Sequence, residues 1–330
     1  MKRLIALPLL ALLVAAPADA GKVKANYFRV GNAEDNSAVT MNRGVVLMGG
    51  STDVDAAFVW MCGRAQGGDF LVVRATGTDA YNPYIADLCG ANANSVATVI
   101  VDSIAAANDP VNVAYVQQAE MIWIAGGDQS NYVNFWKGTA FQAAIQQRIN
   151  AGAPVGGTSA GLNVLTQFVY SAEASQGATS AKALANPFDK TMTFDRDFIT
   201  DVGLDGIIGD PHFGARDRMG RDLAFLCRVS AAGWLTAPRG IAVDEQTALL
   251  IDGVDATVTG LGNVYFLKAP GSPQVCQAKT PLTYRNIGVQ RINSTGSFNL
   301  TSWSGTGVTT YAVTAEAGVL SSTQSGGSPY

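Results

Sequence analysis

Short apolar runs alternate with amphipathic segments along the chain from about residue 44. The runs that end in glycine or a polar residue predict buried strands at 44–50, 70–73, 96–101 and 121–125. Between them, Asp109-Pro110 predicts a helix start, because aspartate caps helices and proline favours the first helical position. Continuous apolar strands that alternate with helices are typical of a mostly parallel sheet covered on both faces. The pattern therefore predicts an α/β fold.

The pattern changes after residue 238. Short strands at 240–244, 247–252 and 264–267 are separated by turns, which favours an antiparallel addition. Farther on, the chain is rich in serine, threonine, glycine and asparagine and alternates only weakly. We predict one catalytic α/β domain over residues 21–270 and a β-rich extension or tail over residues 271–330.

The first twenty residues are typical of a signal peptide. Lys2 and Arg3 precede an apolar stretch at 4–16, and Ala18-Asp19-Ala20 has the small-x-small spacing of a cleavage site. The stretch is shorter than the ~20 apolar residues that a membrane-spanning helix needs, although an N-terminal anchor stays the alternative. We expect a secreted or periplasmic protein.

Composition excludes several classes of protein. Of the 330 residues, 48% are hydrophobic and 15% are charged, which is opposite to the composition of disordered chains. The formal net charge of −4 argues against broad attraction to nucleic acid or to an anionic membrane surface. We therefore expect neither a nucleic-acid partner nor a membrane partner.

Cysteine and histidine counts limit the bonds and metal sites that the chain can form. Four cysteines permit two disulfides, and proximity along the chain favours Cys62–Cys89 and Cys227–Cys276. A single histidine, His212, excludes a zinc site built on several histidines. We predict no metal site and no cofactor.

The sharpest local signal is the pentapeptide Gly157-Thr158-Ser159-Ala160-Gly161. It follows an apolar strand and precedes helix-compatible residues, which is the context of a nucleophile elbow. Such a turn exposes the serine Oγ, and the next backbone N–H, of Ala160, can donate to an oxyanion. The alternative is a glycine-rich turn with an incidental serine.

A serine nucleophile needs a base, and His212 is the one histidine available. It follows the apolar residues 206–209, so it lies at the end of a predicted strand, where α/β sheets place their sites. A structural histidine is the alternative. An α/β-hydrolase places its histidine much later in the chain, so that fold is a poor match.

Four sequence patches, in order, resemble the cyanophycinase-like serine peptidases, relatives of the aspartyl dipeptidases. They are Gly126-Gly127-Asp128-Gln129, Gly157-Thr158-Ser159-Ala160-Gly161, Asp210-Pro211-His212-Phe213 with Arg216, Arg218 and Arg221, and Gly240-Ile241-Ala242-Val243-Asp244-Glu245. The resemblance covers roughly residues 44–268. It implies a flavodoxin-like sheet akin to class I glutamine amidotransferases, followed here by the C-terminal β appendage.

The resemblance also implies roles for individual residues. Ser159 would be the nucleophile, His212 the base, and the N–H groups of Gly127 and Ala160 the oxyanion donors. Family members carry an acid between the serine and the histidine, which points to Glu173, although it could be an ordinary solvated acid. The implied substrate-binding residues are Gln129, Asp210, Arg216, Arg218 and Arg221.

An arginine fork suits a substrate carboxylate, whereas the alternative for at least one arginine is a solvated helix face. Pro211 replaces a glutamine that is frequent in the family, which puts the detailed specificity in question.

We expect hydrolysis of β-aspartyl peptide bonds, in cyanophycin or in β-Asp-Arg units. The partner is then a peptide or polypeptide substrate, and a homodimer stays open. The alternatives are an α-aspartyl dipeptidase or another serine peptidase of the same family, a secreted binding protein without chemistry, and an esterase.

Overall fold

A computed structural model describes residues 26–174 and 177–330. Their strands are β1 (Tyr27–Gly31), β2 (Val45–Met48), β3 (Gly68–Arg74), β4 (Ala93–Ile100), β5 (Met121–Ile124), β6 (Val155–Thr158), β7 (Phe168–Tyr170), β8 (Phe194–Arg196), β9 (Ile207–Asp210), β10 (Arg239–Val243), β11 (Thr247–Asp252), β12 (Asp255–Gly260), β13 (Val264–Lys268), β14 (Tyr284–Ile292), β15 (Ser297–Asn299), β16 (Ser304–Thr306), β17 (Thr309–Glu316) and β18 (Val319–Ser322). The predicted signal peptide at 1–20 lies outside the described residues.

The α-helices lie between the strands of the first two thirds of the chain. They are α1 (Asp55–Cys62), α2 (Tyr81–Cys89), α3 (Ile104–Ala107), α4 (Pro110–Gln117), α5 (Gln129–Trp136), α6 (Ala140–Asn150), α7 (Ala160–Leu165), α8 (Ser180–Ala185) and α9 (Met219–Ala231). None of these described helices is long and apolar enough to cross a membrane.

Two sheets form the framework. The first has the strand order β1-β4-β3-β5-β6-β2-β11-β12-β15-β16, and the second has β18-β17-β14-β13-β10-β9-β7-β8. Strands β4, β3, β5, β6 and β2 pair in parallel, as do β10, β9 and β7 in the second sheet. The α/β fold is confirmed, with antiparallel strands added at the edges of both sheets.

Three clusters of buried side chains hold these layers together. One cluster joins the two sheets, since it contains Leu47 and Ile124 of the first and Ile207 and Phe266 of the second. A second cluster packs α9 against the outer face of the second sheet, and a third packs α1 and α2 against the outer face of the first. Both sheets are therefore buried over much of their area, which explains the continuous apolar runs in the sequence.

The last sixty residues extend both sheets rather than standing apart from them. Strands β15 and β16 continue the first sheet, and β14, β17 and β18 continue the second. The Phe298 ring of β15 stacks on Phe266 of β13 with the centroids 3.6 Å apart. The C-terminal β structure thus shares the hydrophobic cores of the preceding strands.

The local signals of the sequence succeed at α4 and fail at α1. Asp109 caps α4 by accepting a hydrogen bond from the N–H of Val111 at 2.9 Å, which confirms that prediction. Asp53 offers the same kind of capping side chain before the helix that follows β2, but α1 begins at Asp55 and its N-cap is Val54, with no side-chain cap. The burial of Phe58 and Met61 fixes this helix without the cap.

Both predicted disulfides are present. Cys62 at the end of α1 bonds to Cys89 at the end of α2, and Cys227 in α9 bonds to Cys276. The Cα atoms of the two pairs lie 5.7 and 6.0 Å apart, within the usual range for a disulfide.

Candidate active site

Ser159 stands on a strained turn between β6 and α7. Its backbone has φ 52° and ψ −111°, a conformation that residues other than glycine rarely adopt. The turn packs tightly on β5, because a Cβ on Gly161 would lie 2.0 Å from the carbonyl oxygen of Ile124. The N–H of Ser159 donates to the carbonyl of Met48 at 3.0 Å, which fixes the turn to β2 as well.

His212 lies beside this serine. It follows β9, and its Nε2 is 2.8 Å from the Oγ of Ser159. The imidazole is buried, and its backbone N–H donates to the carbonyl of Gly49 at 2.9 Å. The two groups that the sequence pairs as nucleophile and base are therefore in hydrogen-bond contact.

The acid that contacts His212 is Glu245, which lies two residues after the end of β10. Its Oε1 lies 2.6 Å from Nδ1 of the imidazole. An anionic carboxylate accepts only, so Nδ1 carries the proton and Nε2 is left to accept from the Ser159 hydroxyl. This tautomer is the one that a serine nucleophile requires.

The expectation for Glu173 is therefore corrected. Glu173 is exposed beyond the end of β7, and its backbone N–H donates to the Thr193 hydroxyl at 2.9 Å. In the second sheet β9 separates β7 from β10, so the acid beside the histidine comes from β10. The sequence contains a signal for Glu245, since it belongs to the fourth of the matching patches and comes two residues after the apolar strand β10.

A glycine turn after β2 brings the histidine and glutamate segments together. The carbonyl of Gly49 accepts from His212, and the carbonyl of Gly50 accepts from the N–H of Gln246 at 3.0 Å. Gly50 has φ +97°, and a Cβ there would lie 2.4 Å from Cε1 of His212 and 3.1 Å from the Cβ of Ser159. Only glycine fits this position without displacing the imidazole.

The electrostatics of the site favour a neutral imidazole. Burial is the largest effect and lowers the pKa of His212 below its ordinary value, and the nearby Arg216 and Arg218 act in the same direction. The hydrogen bond to Glu245 opposes them. The same hydrogen bond lowers the pKa of the Glu245 carboxyl, so the acid stays ionised.

Two turns border Ser159 at the places expected for oxyanion donors. Ala160 is the first residue of α7, where a helical N–H lacks an intrahelical acceptor. On the other side, a Cβ on Gly126 would lie 3.6 Å from the Cβ of Ser159, which places the turn of Gly126 and Gly127 against the nucleophile. The oxyanion roles of Gly127 and Ala160 stay predictions.

Asp210 and Arg221, two of the predicted binding residues, are buried and pair with each other. The Asp210 side chain is 0% exposed and forms a two-pronged ion pair with Arg221, with Nε 2.9 Å from Oδ2 and Nη2 close to Oδ1. The Arg221 guanidinium also donates to the carbonyl of Ala178 at 3.2 Å. Their donors and acceptors are used inside the protein, where they join β9 to α9.

Arg216 is the predicted binding residue that is most open to solvent. Its side chain is 53% exposed, and its Nε lies 3.6 Å from Oε1 of Glu245, at the mouth of the site. Arg218 is mostly buried and donates to the carbonyl of Pro211 at 2.7 Å. Gln129, at the start of α5, donates to the carbonyl of Tyr170 at 3.1 Å. The substrate contacts of these three residues stay predictions.

The C-terminal tail reaches the histidine segment, which the sequence did not indicate. The Tyr330 hydroxyl accepts from the N–H of Met219 at 2.9 Å and donates to the Asp217 carboxylate at 2.7 Å. Its ring packs edge-on against Phe213, the neighbour of His212. The tail therefore braces the loop that carries the imidazole and the two arginines.

Comparisons with known proteins identify the family of the chain. The model of peptidase family S51 matches residues 45–259, which is more than half of the chain. The crystal structure of a peptidase from an acI-B1 actinobacterium is similar over 79% of this chain and 98% of its own, with a TM-score of 0.53 and 16% identity.

A protein of Listeria monocytogenes EGD-e described as a peptidase E is similar over 67% of this chain and 99% of its own, with a TM-score of 0.41 and 13% identity. At these identities the structural likeness to the first protein supports the fold, and the family match supports the activity. The chain belongs to peptidase family S51, with the α/β fold and the serine-type peptidase activity of that family.

Proposed function

We propose that the protein is an exported peptidase that hydrolyses β-aspartyl peptide bonds, as in cyanophycin, with Ser159, His212 and Glu245 as its catalytic triad. The observation that supports the triad is the unbroken chain of hydrogen bonds from Ser159 Oγ through His212 to Glu245, with distances of 2.8 and 2.6 Å. This replaces the sequence-based choice of Glu173 as the third member.

In this mechanism Ser159 Oγ attacks the scissile carbonyl while its proton passes to Nε2 of His212. The carbonyl oxygen becomes an oxyanion that the N–H groups of Ala160 and Gly127 stabilise. When the tetrahedral intermediate collapses, the C–N bond breaks and the imidazolium gives its proton to the leaving amine. Water then attacks the acyl-serine while Nε2 of His212 accepts its proton. The ester bond breaks, the acid product leaves, and the imidazolium returns the proton to Oγ, which restores the Ser159 hydroxyl.

Glu245 acts through the histidine in this scheme. Its carboxylate holds the Nδ1–H tautomer in place and stabilises the imidazolium that forms after proton transfer. The lowered pKa of the Glu245 carboxyl means that this negative charge is present throughout the neutral range.

The position of Arg216 supports a substrate with a free carboxylate near the scissile bond. In a β-aspartyl dipeptide such as β-Asp-Arg the amide uses the side-chain carboxyl, so the α-carboxylate stays free three C–C bonds from the reacting carbonyl. Arg216 is exposed beside Glu245, and a guanidinium binds a carboxylate well. Arg218 has little exposed surface and contributes by raising the positive potential of the pocket.

The two disulfides support action outside the reducing cytoplasm. Disulfides persist in oxidising compartments, and both pairs here join helices or loops in the described part of the chain. A periplasmic or secreted location is therefore part of the proposal.

Incubation with cyanophycin, β-Asp-Arg and α-Asp-Arg, followed by mass spectrometry of the products, tests the substrate. A parallel reaction with a fluorophosphonate reports the reactivity of Ser159 without any substrate, and Ser159→Ala is the control for both assays. We expect products from the β-aspartyl substrates and labelling at Ser159.

The other outcomes of these assays would contradict either the proposed substrate or the proposed triad. Cleavage of α-Asp-Arg alone would contradict the β-aspartyl specificity and favour an α-aspartyl dipeptidase. Labelling without cleavage of any of the three substrates would reject aspartyl specificity while leaving the serine mechanism standing. A folded protein that is neither labelled nor active would reject the triad and favour a binding protein.

A further inference from the structure

Three acids meet at the edge of the first sheet that lies opposite the catalytic residues. Asp69 is at the start of β3, Glu120 directly precedes β5, and Asp35 lies in the segment between β1 and β2. One carboxylate oxygen from each lies within 4.8 Å of the other two. Ser159 is at the opposite, carboxyl end of the parallel strands, so this cluster is separate from the triad.

The Asp69 carboxylate is buried and only half satisfied. The residue is 5% exposed, and its Oδ1 accepts from the Ser95 hydroxyl at 2.5 Å and from the Asn94 amide at 3.0 Å. Its Oδ2 is buried as well, and no donor among the described residues reaches it. Burial of a carboxylate oxygen without a partner costs free energy of folding. A positively charged or hydrogen-bonding ligand at this atom would offset that cost.

The cluster also carries more negative than positive charge. Glu120 is 4% exposed; its Oε1 pairs with Arg148 at 2.9 Å, and its Oε2 accepts from the N–H of Asp69 at 2.9 Å. Arg148 is the single cation paired with these three acids in the described part of the chain. A divalent cation would neutralise the remaining two charges.

We propose that Asp35, Asp69 and Glu120 bind one calcium ion. The ligands are all carboxylate oxygens, which hard cations prefer, and no imidazole or thiolate is among them. Two oxygens that each lie about 2.4 Å from one calcium ion are at most about 4.8 Å apart, and the three carboxylate oxygens here lie within that limit of one another. Magnesium binds at about 2.1 Å, demands near-octahedral geometry and is usually held by one or two carboxylates, so a set of three carboxylates suits it less well.

The ion would join a surface segment to the sheet. Asp35 belongs to the exposed residues that connect the edge strand β1 to β2, whereas Asp69 and Glu120 are fixed at the ends of buried strands. Calcium binding should therefore stabilise the fold and protect residues 32–44 from proteolysis. A ligand that binds only the native state shifts the folding equilibrium toward that state by mass action.

The test uses full-length protein that has been treated with EDTA and desalted. Isothermal titration with CaCl2, with MgCl2 in a parallel run, gives the affinity and stoichiometry, and thermal unfolding with and without CaCl2 gives the effect on stability. Asp35→Asn is the main variant, since Asp35 is exposed and its removal leaves the buried contacts intact. Asp87→Asn removes an exposed carboxylate outside the cluster and is the matched control.

We expect one calcium ion per chain, a Tm that rises with CaCl2, and an affinity that falls at least about tenfold in Asp35→Asn but not in Asp87→Asn. Asp69→Asn should abolish the calcium-dependent rise in Tm if it folds. Absence of calcium binding in the unmodified protein, or equal binding in Asp35→Asn, would overturn the proposal. Equal affinity for magnesium would overturn the assignment to calcium.

Discussion

The His212 imidazole lies among opposing charges, so its pKa responds predictably to substitution. Burial and the two arginines lower the pKa, and Glu245 raises it. Because the neutral ring is the base, kcat/KM should rise with pH along a limb that lies below the ordinary histidine value of about 6.5.

Replacing Arg216 by glutamine removes one of the charges that lower this pKa. The limb should therefore move to higher pH in Arg216→Gln, which a pH profile of kcat/KM measures. Arg285→Gln, an exposed arginine paired with Glu316, is the matched control and should leave the limb in place. A limb that stays unmoved in Arg216→Gln would show that His212 is not the titrating base.

Gly50 should be the least replaceable residue around the triad. Gly50→Ala adds a Cβ 2.4 Å from Cε1 of His212, so the imidazole must move away from Ser159, and we expect kcat/KM to fall by on the order of 10²-fold or more. Gly253→Ala is the control, because Gly253 also has positive φ but meets nothing within 4 Å. It should cost stability, by about 1 kcal/mol, and leave kcat/KM unchanged. Equal activity in both variants would contradict the close approach.

Sequence reasoning at the residue scale paired Ser159 with His212, which are in contact, but missed the contact of Glu245 with the imidazole. The serine lies in a pentapeptide whose spacing has a steric cause, and the histidine is alone in the chain. The family resemblance points to an acid between the serine and the histidine, whereas Glu245 follows the histidine in the chain and is brought to the imidazole by the parallel pairing of β9 and β10. Such a tertiary contact has no local pattern in the sequence. For the same reason, the sequence does not predict the cluster of Asp35, Asp69 and Glu120.

Helix α9 carries a buried acid, Asp222, whose protonation in the folded state can be tested. Asp222 is fully buried against the second sheet, and no hydrogen-bond donor among the described residues reaches either of its carboxylate oxygens. Burial, with the nearby charge of Asp210, raises its pKa well above the ordinary value. The folded state therefore keeps a proton that the unfolded chain loses above about pH 4.

The sign of the effect on stability follows from this difference. As pH rises above about 4 toward the raised pKa, the folded state binds more protons than the unfolded state, so the free energy of unfolding falls. Asp222→Asn should remove this contribution. Denaturant unfolding at pH 5 and pH 7.5 should show the variant gaining stability relative to the unmodified protein at the higher pH. A difference that does not change with pH would mean that Asp222 does not carry the proton.

Helices and strands with a clear pattern of apolar and polar residues could be predicted from the sequence, whereas the irregular segments between them could not. The apolar runs at β2, β3, β4 and β5 and the capped start of α4 follow the sequence pattern closely. The short strands β7 and β8 and helix α8 lie between Ser159 and His212, where polar and apolar residues mix without a clear period. Their positions depend on packing against α9, which a local pattern cannot show.

At the scale of the whole molecule, two disulfides connect parts that the sheets alone do not join. Cys227–Cys276 links α9 to the segment before β14 and encloses a sequence separation of 49 residues. Loop-closure entropy predicts that removing this bond costs about 3–4 kcal/mol. Chemical denaturation of Cys227→Ser/Cys276→Ser measures the loss.

The two disulfides also determine how many free thiols the intact protein should have. Thiol titration of denatured, unreduced protein should find no free cysteine, since Cys62–Cys89 and Cys227–Cys276 use all four. Four free thiols, or a double variant as stable as the parent, would contradict the pairing and weaken the proposal of an oxidising compartment.

The overall class of fold was predictable because parallel, doubly covered sheets leave continuous apolar runs in the sequence. The place of the C-terminal residues was not, because strands β14 to β18 alternate weakly and divide between two sheets. Only the three-dimensional pairing shows that Tyr330 comes back to the histidine segment.

The measurement that tests the central claim most directly compares Glu245→Gln with Glu173→Gln. Both substitutions remove one exposed or half-buried carboxylate, but only Glu245 contacts His212. We expect kcat/KM, and the rate of fluorophosphonate labelling of Ser159, to fall in Glu245→Gln by on the order of 10³–10⁴-fold and to stay unchanged in Glu173→Gln. Full activity in Glu245→Gln, or an equal loss in Glu173→Gln, would contradict the triad of Ser159, His212 and Glu245.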